Sequence, residues 1–307
     1  MTFPNLYIVG APKSGTTSLY HYLNQHPDIN IPNKEPRFLI NNIINSVSED
    51  DPIKPYLIRS SILDKNEYNS LYSGLKEKII CDASTQYLYH YSHVIPKIKQ
   101  LKGPSPKIII LLRNPIDRAF SNYSHISSTF ENLSFDKAIK QETIRMQKGF
   151  NSFWFYIGLS TYADSVRAYK DSFDNVKVIL FEDFINNTNL TLIDILDFLE
   201  VDNSFKFSNF MINKKSTGMP KSKTLNKILQ NSSKFIRLKS ILYKTFGQQK
   251  IQLFRELLMR KNLSKNKIYL DDSIKLKLES VFIDDIKELQ KLLPELNIEW
   301  FKNGINS

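Results

Sequence analysis

Short, wholly apolar runs recur along the chain, separated by stretches in which apolar residues return every third or fourth position. Residues 6–9 form the first run and close on Gly10-Ala-Pro-Lys-Ser-Gly-Thr-Thr. Residues 18–24 then show helical spacing, with Leu19, Tyr20 and Leu23 on one side. That order predicts strand, glycine loop, helix. Prolines and asparagines make 27–36 a loop. A second short strand is predicted at 78–81 and a helix at 94–101, broken by Gly103-Pro-Ser-Pro. Residues 107–112, Lys-Ile-Ile-Ile-Leu-Leu, are the strongest strand. They are apolar on both faces, as an interior parallel strand must be. Pro115 stands where a helix begins, and the helix continues over 116–124. Further elements are a helix at 159–169, a buried strand at 176–181 and a helix at 190–199. In that last helix Leu192, Ile195, Leu196 and Leu199 fall in register. Basic helical stretches run to about 260, and an amphipathic helix closes the chain at 271–293. Strands alternating with helices predict an α/β fold with a parallel, doubly wound sheet.

Composition narrows the class. The chain has 307 residues, 41% hydrophobic and 12% aromatic, enough for a sizeable core. One domain over 1–307 is expected, with a basic helical C-terminal part from about 203 and a long loop near 202–222. Cys81 is the single cysteine, which excludes a disulfide scaffold and a cysteine-built metal site. No run approaches the ~20 apolar residues of a membrane span. The first ten residues lack the pattern of a signal peptide. A cytoplasmic, reducing location is the expectation. The net charge is +11. Residues 205–267 hold 16 Lys and Arg against one acid, Glu256, so the remainder is acidic by four. Such a segment is either a lysine-rich solvated surface or a face turned to an anionic ligand.

Two motifs carry chemistry. The Gly10 loop nearly matches the triphosphate-binding pattern G-x-x-x-x-G-K-[ST]. Gly10, Gly15 and Thr17 fit, while Thr16 stands where the lysine belongs. Inward backbone N–H groups and a helix N-terminus still suit a phosphate. The lysine that reaches the outer phosphates is replaced by Lys13, three positions earlier. The loop therefore suits a nucleotide with one 5′-phosphate carrying a transferable anion. The second motif ends the strong strand: Arg113-Asn-Pro, with Ser121 eight residues on. A phosphoryl-transfer enzyme usually places a metal-binding carboxylate at such a strand end. Arginine attracts an anion instead, and a second phosphate on the ligand is implied.

Together these segments resemble the PAPS-dependent sulfotransferases, in the branch of heparan-sulfate enzymes and bacterial relatives. Pro12-Lys-Ser-Gly-Thr-Thr is similar to the family's 5′-phosphosulfate loop. Arg113-Asn-Pro-Ile-Asp-Arg-Ala-Phe-Ser-Asn-Tyr is similar to its 3′-phosphate motif. Leu23-Asn-Gln-His-Pro-Asp-Ile, Lys34-Glu-Pro-Arg-Phe-Leu, Asp82-Ala-Ser-Thr-Gln-Tyr-Leu-Tyr, Leu180-Phe-Glu-Asp-Phe and Leu296-Asn-Ile-Glu-Trp extend the likeness over most of the chain. The resemblance implies a P-loop-like three-layer fold with a central parallel sheet flanked by helices. It implies PAPS as donor, PAP as product and no metal. Lys13, Ser14, Gly15, Thr16, Thr17 and Ser18 would hold the 5′-phosphosulfate, and Arg113 and Ser121 the 3′-phosphate. Glu35 matches the base of the polysaccharide enzymes. Two departures stand out. Ala83 occupies a place where some members carry a lysine near the sulfate. The cysteine pair of the heparan-sulfate members' C-terminal phosphate loop is absent; the segment holding Lys214, Lys215 and Lys221 is the candidate replacement.

The implied reaction moves a sulfuryl group in line onto a hydroxyl of a small metabolite or carbohydrate. Glu35 takes the hydroxyl proton, and Lys13 steadies charge on the oxygen left behind. His93 or His125 is the alternative base, and His26 reads as structural. Tyr87 and Tyr162 are candidates to position a ligand, or core residues. Two other functions stay open. One is a nucleoside or metabolite kinase, with Ile179-Leu-Phe-Glu-Asp as a metal-binding strand end. The other is a polyanion or nucleic-acid binder using the basic segment. The sulfotransferase expectation carries no nucleic-acid partner and no membrane span.

Overall fold

Five short strands make the frame. In a computed structural model describing residues 3–101, 105–208, 218–220, 263–267 and 270–301, they are β1 (Leu6–Gly10), β2 (Ile29–Asn30), β3 (Ile79–Ala83), β4 (Lys107–Leu112) and β5 (Asn175–Leu180). All pair in parallel, in the order β2-β3-β1-β4-β5. Residues 107–112 form the expected interior strand, between β1 and β5 and buried from Ile108 onward. β5 differs from expectation. It is an edge strand, and Asn175 to Val178 are only half-buried. Phe181 belongs to the next helix.

Period-two alternation divides the sheet's side chains between two cores. Leu6, Ile8, Cys81, Ala83, Ile109 and Leu111 face one side. There α1 (Thr16–Leu23) adds Leu19, Tyr22 and Leu23. α10 (Phe181–Asn186) adds Phe184, and α11 (Thr188–Leu199) adds the four residues expected in register. Tyr22, not Tyr20, completes the buried face of α1. Tyr7, Val9, Ile108, Ile110 and Leu112 face the opposite side. They meet α5 (Tyr91–Gln100), α6 (Pro115–Ser127), α9 (Ala163–Ser172) and α12 (Asp272–Leu292). The result is the expected three-layer, P-loop-like arrangement.

Besides α10, five short helices among the described residues went unanticipated: α2 (Asn41–Ser46), α3 (Lys54–Ser60), α4 (Lys65–Tyr72), α7 (Phe135–Lys140) and α8 (Glu142–Gln147). Of these, α4 reaches Asp82 through Tyr68. An antiparallel pair, β6 (Gly218–Pro220) and β7 (Leu263–Lys267), follows α11. Most of the basic segment, with Lys214, Lys215 and Lys221, lies outside the described residues.

Candidate active site at the carboxyl edge of the sheet

The strands β1, β3, β4 and β5 all end at the same edge, and the loops leaving them carry the expected residues. That edge is where ligands bind in open parallel sheets. After β1 the chain turns through Lys13 and Gly15 with φ of 74° and 86°. Gly15 has no alternative: a Cβ there would stand 2.8 Å from Cδ2 of Phe181. Its left-handed conformation opens α1, whose first residues Thr16, Thr17 and Ser18 follow directly. The Ser14 hydroxyl is fully buried and has no hydrogen-bond partner among the described residues.

After β4, Arg113 turns back onto this loop. Its Nη1 donates to the Lys13 carbonyl at 3.1 Å, and its guanidinium lies 4.7 Å from the centre of the Phe181 ring. Its Nε is buried without a hydrogen-bond partner among the described residues. A buried Ser14 hydroxyl and Arg113 Nε in that state leave a donor each for an anion. Pro115 opens α6 as expected, with Asn114 capping Ile116 and Asp117. Ser121 stands half-buried on α6.

Several groups fix Arg113 from behind. Tyr162, expected either to position a ligand or to pack, is buried and donates to the Arg113 carbonyl at 3.0 Å. Asn114 N donates to Glu182 Oε1 at 3.1 Å. Trp300 Nε1 donates to Glu182 Oε2 at 3.2 Å, and Asn114 Nδ2 donates to the Trp300 carbonyl at 3.2 Å. Both Glu182 oxygens are therefore engaged in bracing. Among the described residues no three of His, Cys, Asp and Glu cluster as a metal site.

Glu35 reaches the same edge by a different route. Lys34 makes an isolated parallel bridge with Ala83, and Glu35 N donates to the Ala83 carbonyl at 2.8 Å. Glu35 (φ 63°) and Arg37 (φ 53°) both adopt left-handed backbone. Among the described residues, Lys13, Glu35 and Arg37 are three of the four non-glycine residues with positive φ. Such conformations concentrate at functional sites. The Glu35 carboxylate accepts from Thr85 Oγ1 at 2.8 Å and Thr85 N at 3.2 Å, with Arg37 Nε 3.3 Å from Oε2. Lys34 Nζ joins the two loops: it donates to Thr17 Oγ1 at 2.7 Å and lies 3.9 Å from Glu35 Oε1.

Beneath Glu35 is a fully buried carboxylate. Asp82 accepts from Tyr68 and Tyr87 at 2.9 and 3.0 Å and from Ser84 at 2.8 Å. Ser84 Oγ in turn accepts from Arg37 N at 3.0 Å. Burial pushes Asp82 up to about 6 against the pull of its three hydroxyl donors, and the charge of Glu35 adds to the rise. Tyr87 is thus a core residue. The tyrosines around Asp82 were legible only as aromatics; their common target was not.

The histidines fall into two groups. His26 Nε2 donates to the Asp202 carbonyl at 3.0 Å and Nδ1 accepts from Asp28 N at 3.1 Å, a structural role as expected. His90 is driven down to about 4 by burial, with a smaller contribution from His93. His93 and His125 are exposed on α5 and α6. Sequence reasoning missed Lys34, Arg37 and Thr85, although all three lie within quoted motifs.

Comparisons with known proteins bear on this arrangement. A family model described as "Sulfotransferase family" matches residues 4–205. The bifunctional heparan sulfate N-deacetylase/N-sulfotransferase 1 of Homo sapiens is 32% identical over 125 residues, covering 40% of this chain and 13% of that protein. Carbohydrate sulfotransferase 15 of Mus musculus is 23% identical over 254 residues, covering 64% and 44%. The chain thus spans less than half the length of these curated relatives. The crystal structure of a sulfotransferase from Alicyclobacillus acidocaldarius superposes with a TM-score of 0.73 at 28% identity, covering 98% of this chain and 99% of that one.

Proposed function

The chain belongs to the sulfotransferase family, and from that premise we propose that it transfers a sulfuryl group from PAPS to an acceptor hydroxyl, with Glu35 as base. The observation that carries this is the convergence of the Glu35 carboxylate and the Lys13 loop at one edge, one lysine apart. The residues suit an adenosine 3′,5′-bisphosphate. The turn through Lys13, Ser14 and Gly15, with Thr16, Thr17 and Ser18, would hold the 5′ end. Arg113 and Ser121 would hold the 3′-phosphate, with Lys215 and Lys221 proposed to close over it. Bound PAPS supplies the sulfuryl group and leaves as PAP.

The protein's own part has three components. Thr85 and Arg37 hold the Glu35 carboxylate in one orientation, so it meets the acceptor hydroxyl as a fixed proton acceptor. Lys13 places positive charge beside the departing phosphate oxygen, where negative charge builds. Arg113 and its braces fix the far end of the nucleotide, so the reacting end is aligned before the acceptor arrives. The acceptor is an alcohol on a carbohydrate or a small metabolite.

The test is calorimetry with PAP in EDTA, beside transfer of labelled sulfate from PAPS to a panel of phenols and sulfatable oligosaccharides. Lys13→Ala and Glu35→Gln are each expected to lower transfer ~10²–10³-fold. Glu35→Gln keeps PAP affinity, and Arg113→Ala loses it. Stabilisation by MgATP without any by PAP would reject the reading.

A further inference from the structure

We propose that Lys34 is a second cationic contact for the transferred sulfuryl group, standing in for the lysine absent at position 83. The proposal deepens the sulfuryl-transfer reading and rests on it. Three observations lead to it. First, Lys34 and Ala83 are bridge partners in a parallel ladder, and such partners present their side chains on the same face. Ala83 faces the layer that contains α1. A lysine at either position therefore projects toward the same helix. Second, the Lys34 ammonium touches that helix: Nζ donates to Thr17 Oγ1 at 2.7 Å. The Thr17 oxygen accepts from lysine, so its own hydrogen points away from Lys34. Third, Nζ lies 3.9 Å from Glu35 Oε1, within ion-pair range but too far for a hydrogen bond. It is half-exposed, its side chain 27% accessible.

The charge arithmetic gives the position its meaning. As the acceptor O–H bond breaks, its proton passes to Glu35, and the acceptor oxygen forms the new bond to sulfur. The bond from sulfur to the bridging oxygen breaks, and its electron pair stays on the 5′-phosphate of PAP. Glu35 becomes neutral in this step, so the attraction that shares Lys34 with the carboxylate disappears. Its charge then acts on the sulfuryl oxygens just as their charge redistributes. Lys13 serves the departing oxygen, and Lys34 serves the group in flight.

Because the contact is with the sulfuryl group, it is read without knowing the acceptor. Calorimetry compares PAP and PAPS binding to wild type, Lys34→Met and Lys34→Arg, and to a double variant carrying Lys34→Ala with Ala83→Lys. Lys34→Met is expected to weaken PAPS about tenfold more than it weakens PAP, as loss of one charged hydrogen bond does. Lys34→Arg keeps most of the PAPS affinity. The double variant recovers it by presenting the cation from the paired position. Should that variant not fold, the arginine variant, which leaves Ala83 in place, carries the test. Equal weakening of PAP and PAPS by Lys34→Met, or no weakening of either, overturns the role of Lys34 alone. A wild-type protein that binds neither nucleotide overturns the sulfuryl-transfer reading as well.

Discussion

Asp82 is an unusual residue to bury, with no accessible surface and, among the described residues, no cationic partner in hydrogen-bond contact. Three hydroxyl donors soften the cost of its charge without cancelling it, so its folded value of about 6 lies above the ordinary 3.8. A raised acid stabilises the fold fully below its unfolded value, and that contribution is lost as pH rises through the folded one. Between pH 4 and pH 7, wild type is therefore expected to lose roughly 2–3 kcal/mol relative to Asp82→Asn, whose amide does not titrate. Urea melts of both proteins at pH 4.5, 6 and 7.5 measure this. A gap that is constant with pH would mean that Asp82 titrates normally in the fold. The wider consequence runs through Ser84 to Arg37 N, since that bond fixes the turn presenting Glu35. Residue types such as Lys13, Arg113 and Glu35 were legible in the sequence because local chain places each in its loop. Lys34 was not. Its meaning depends on a ladder partner 49 positions away and on a helix from a third segment.

Elements too short to repeat a pattern are the ones the sequence concealed. α2 buries only Ile44, α3 only Leu57, and α4 only Tyr68 and Tyr72. One or two buried positions define no period. β2 has two residues and exists through pairing with Ile79 and Ile80. By contrast, α11 and β4 were legible because several consecutive positions share one environment. The start of α10 shows what a junction between elements contributes. Phe181 lies against Gly15 on one side and under the Arg113 guanidinium on the other. The ring thus bridges the two loops proposed to hold opposite ends of the nucleotide. Replacing it by Leu keeps apolar bulk beside Gly15 but removes the aromatic face. A cation over such a face contributes about 0.5–2 kcal/mol, so Phe181→Leu is expected to weaken PAP roughly 2- to 30-fold. Its melting temperature should fall only slightly. An unchanged PAP affinity in titration calorimetry would show that the ring serves packing alone.

Across the whole molecule, the carboxyl edge is assembled from segments widely separated in sequence. Tyr162 N and Ala163 N donate to Asp285 of α12 at 2.8 and 2.9 Å, which fixes the start of α9 and, with it, Tyr162 over Arg113. Trp300 closes the triangle with Asn114 and Glu182. Trp300→Phe removes the bond to Glu182 while keeping an aromatic ring and the backbone acceptor. It is expected to weaken PAP a few-fold, the effect of one lost hydrogen bond of about 1 kcal/mol. The fold should survive, since phenylalanine keeps an aromatic ring packed against the core there; circular dichroism and calorimetry on the same sample separate the two effects.

That triangle also sets an order in time. Asn114 and Trp300 are 186 positions apart. At ~5–20 residues per second of synthesis, the brace leaves the ribosome about 10–40 s after the loop it steadies. A nascent chain carries the loops proposed to hold the nucleotide long before this brace exists, so the tightest capture is expected of the finished polypeptide and a weaker one of the growing chain.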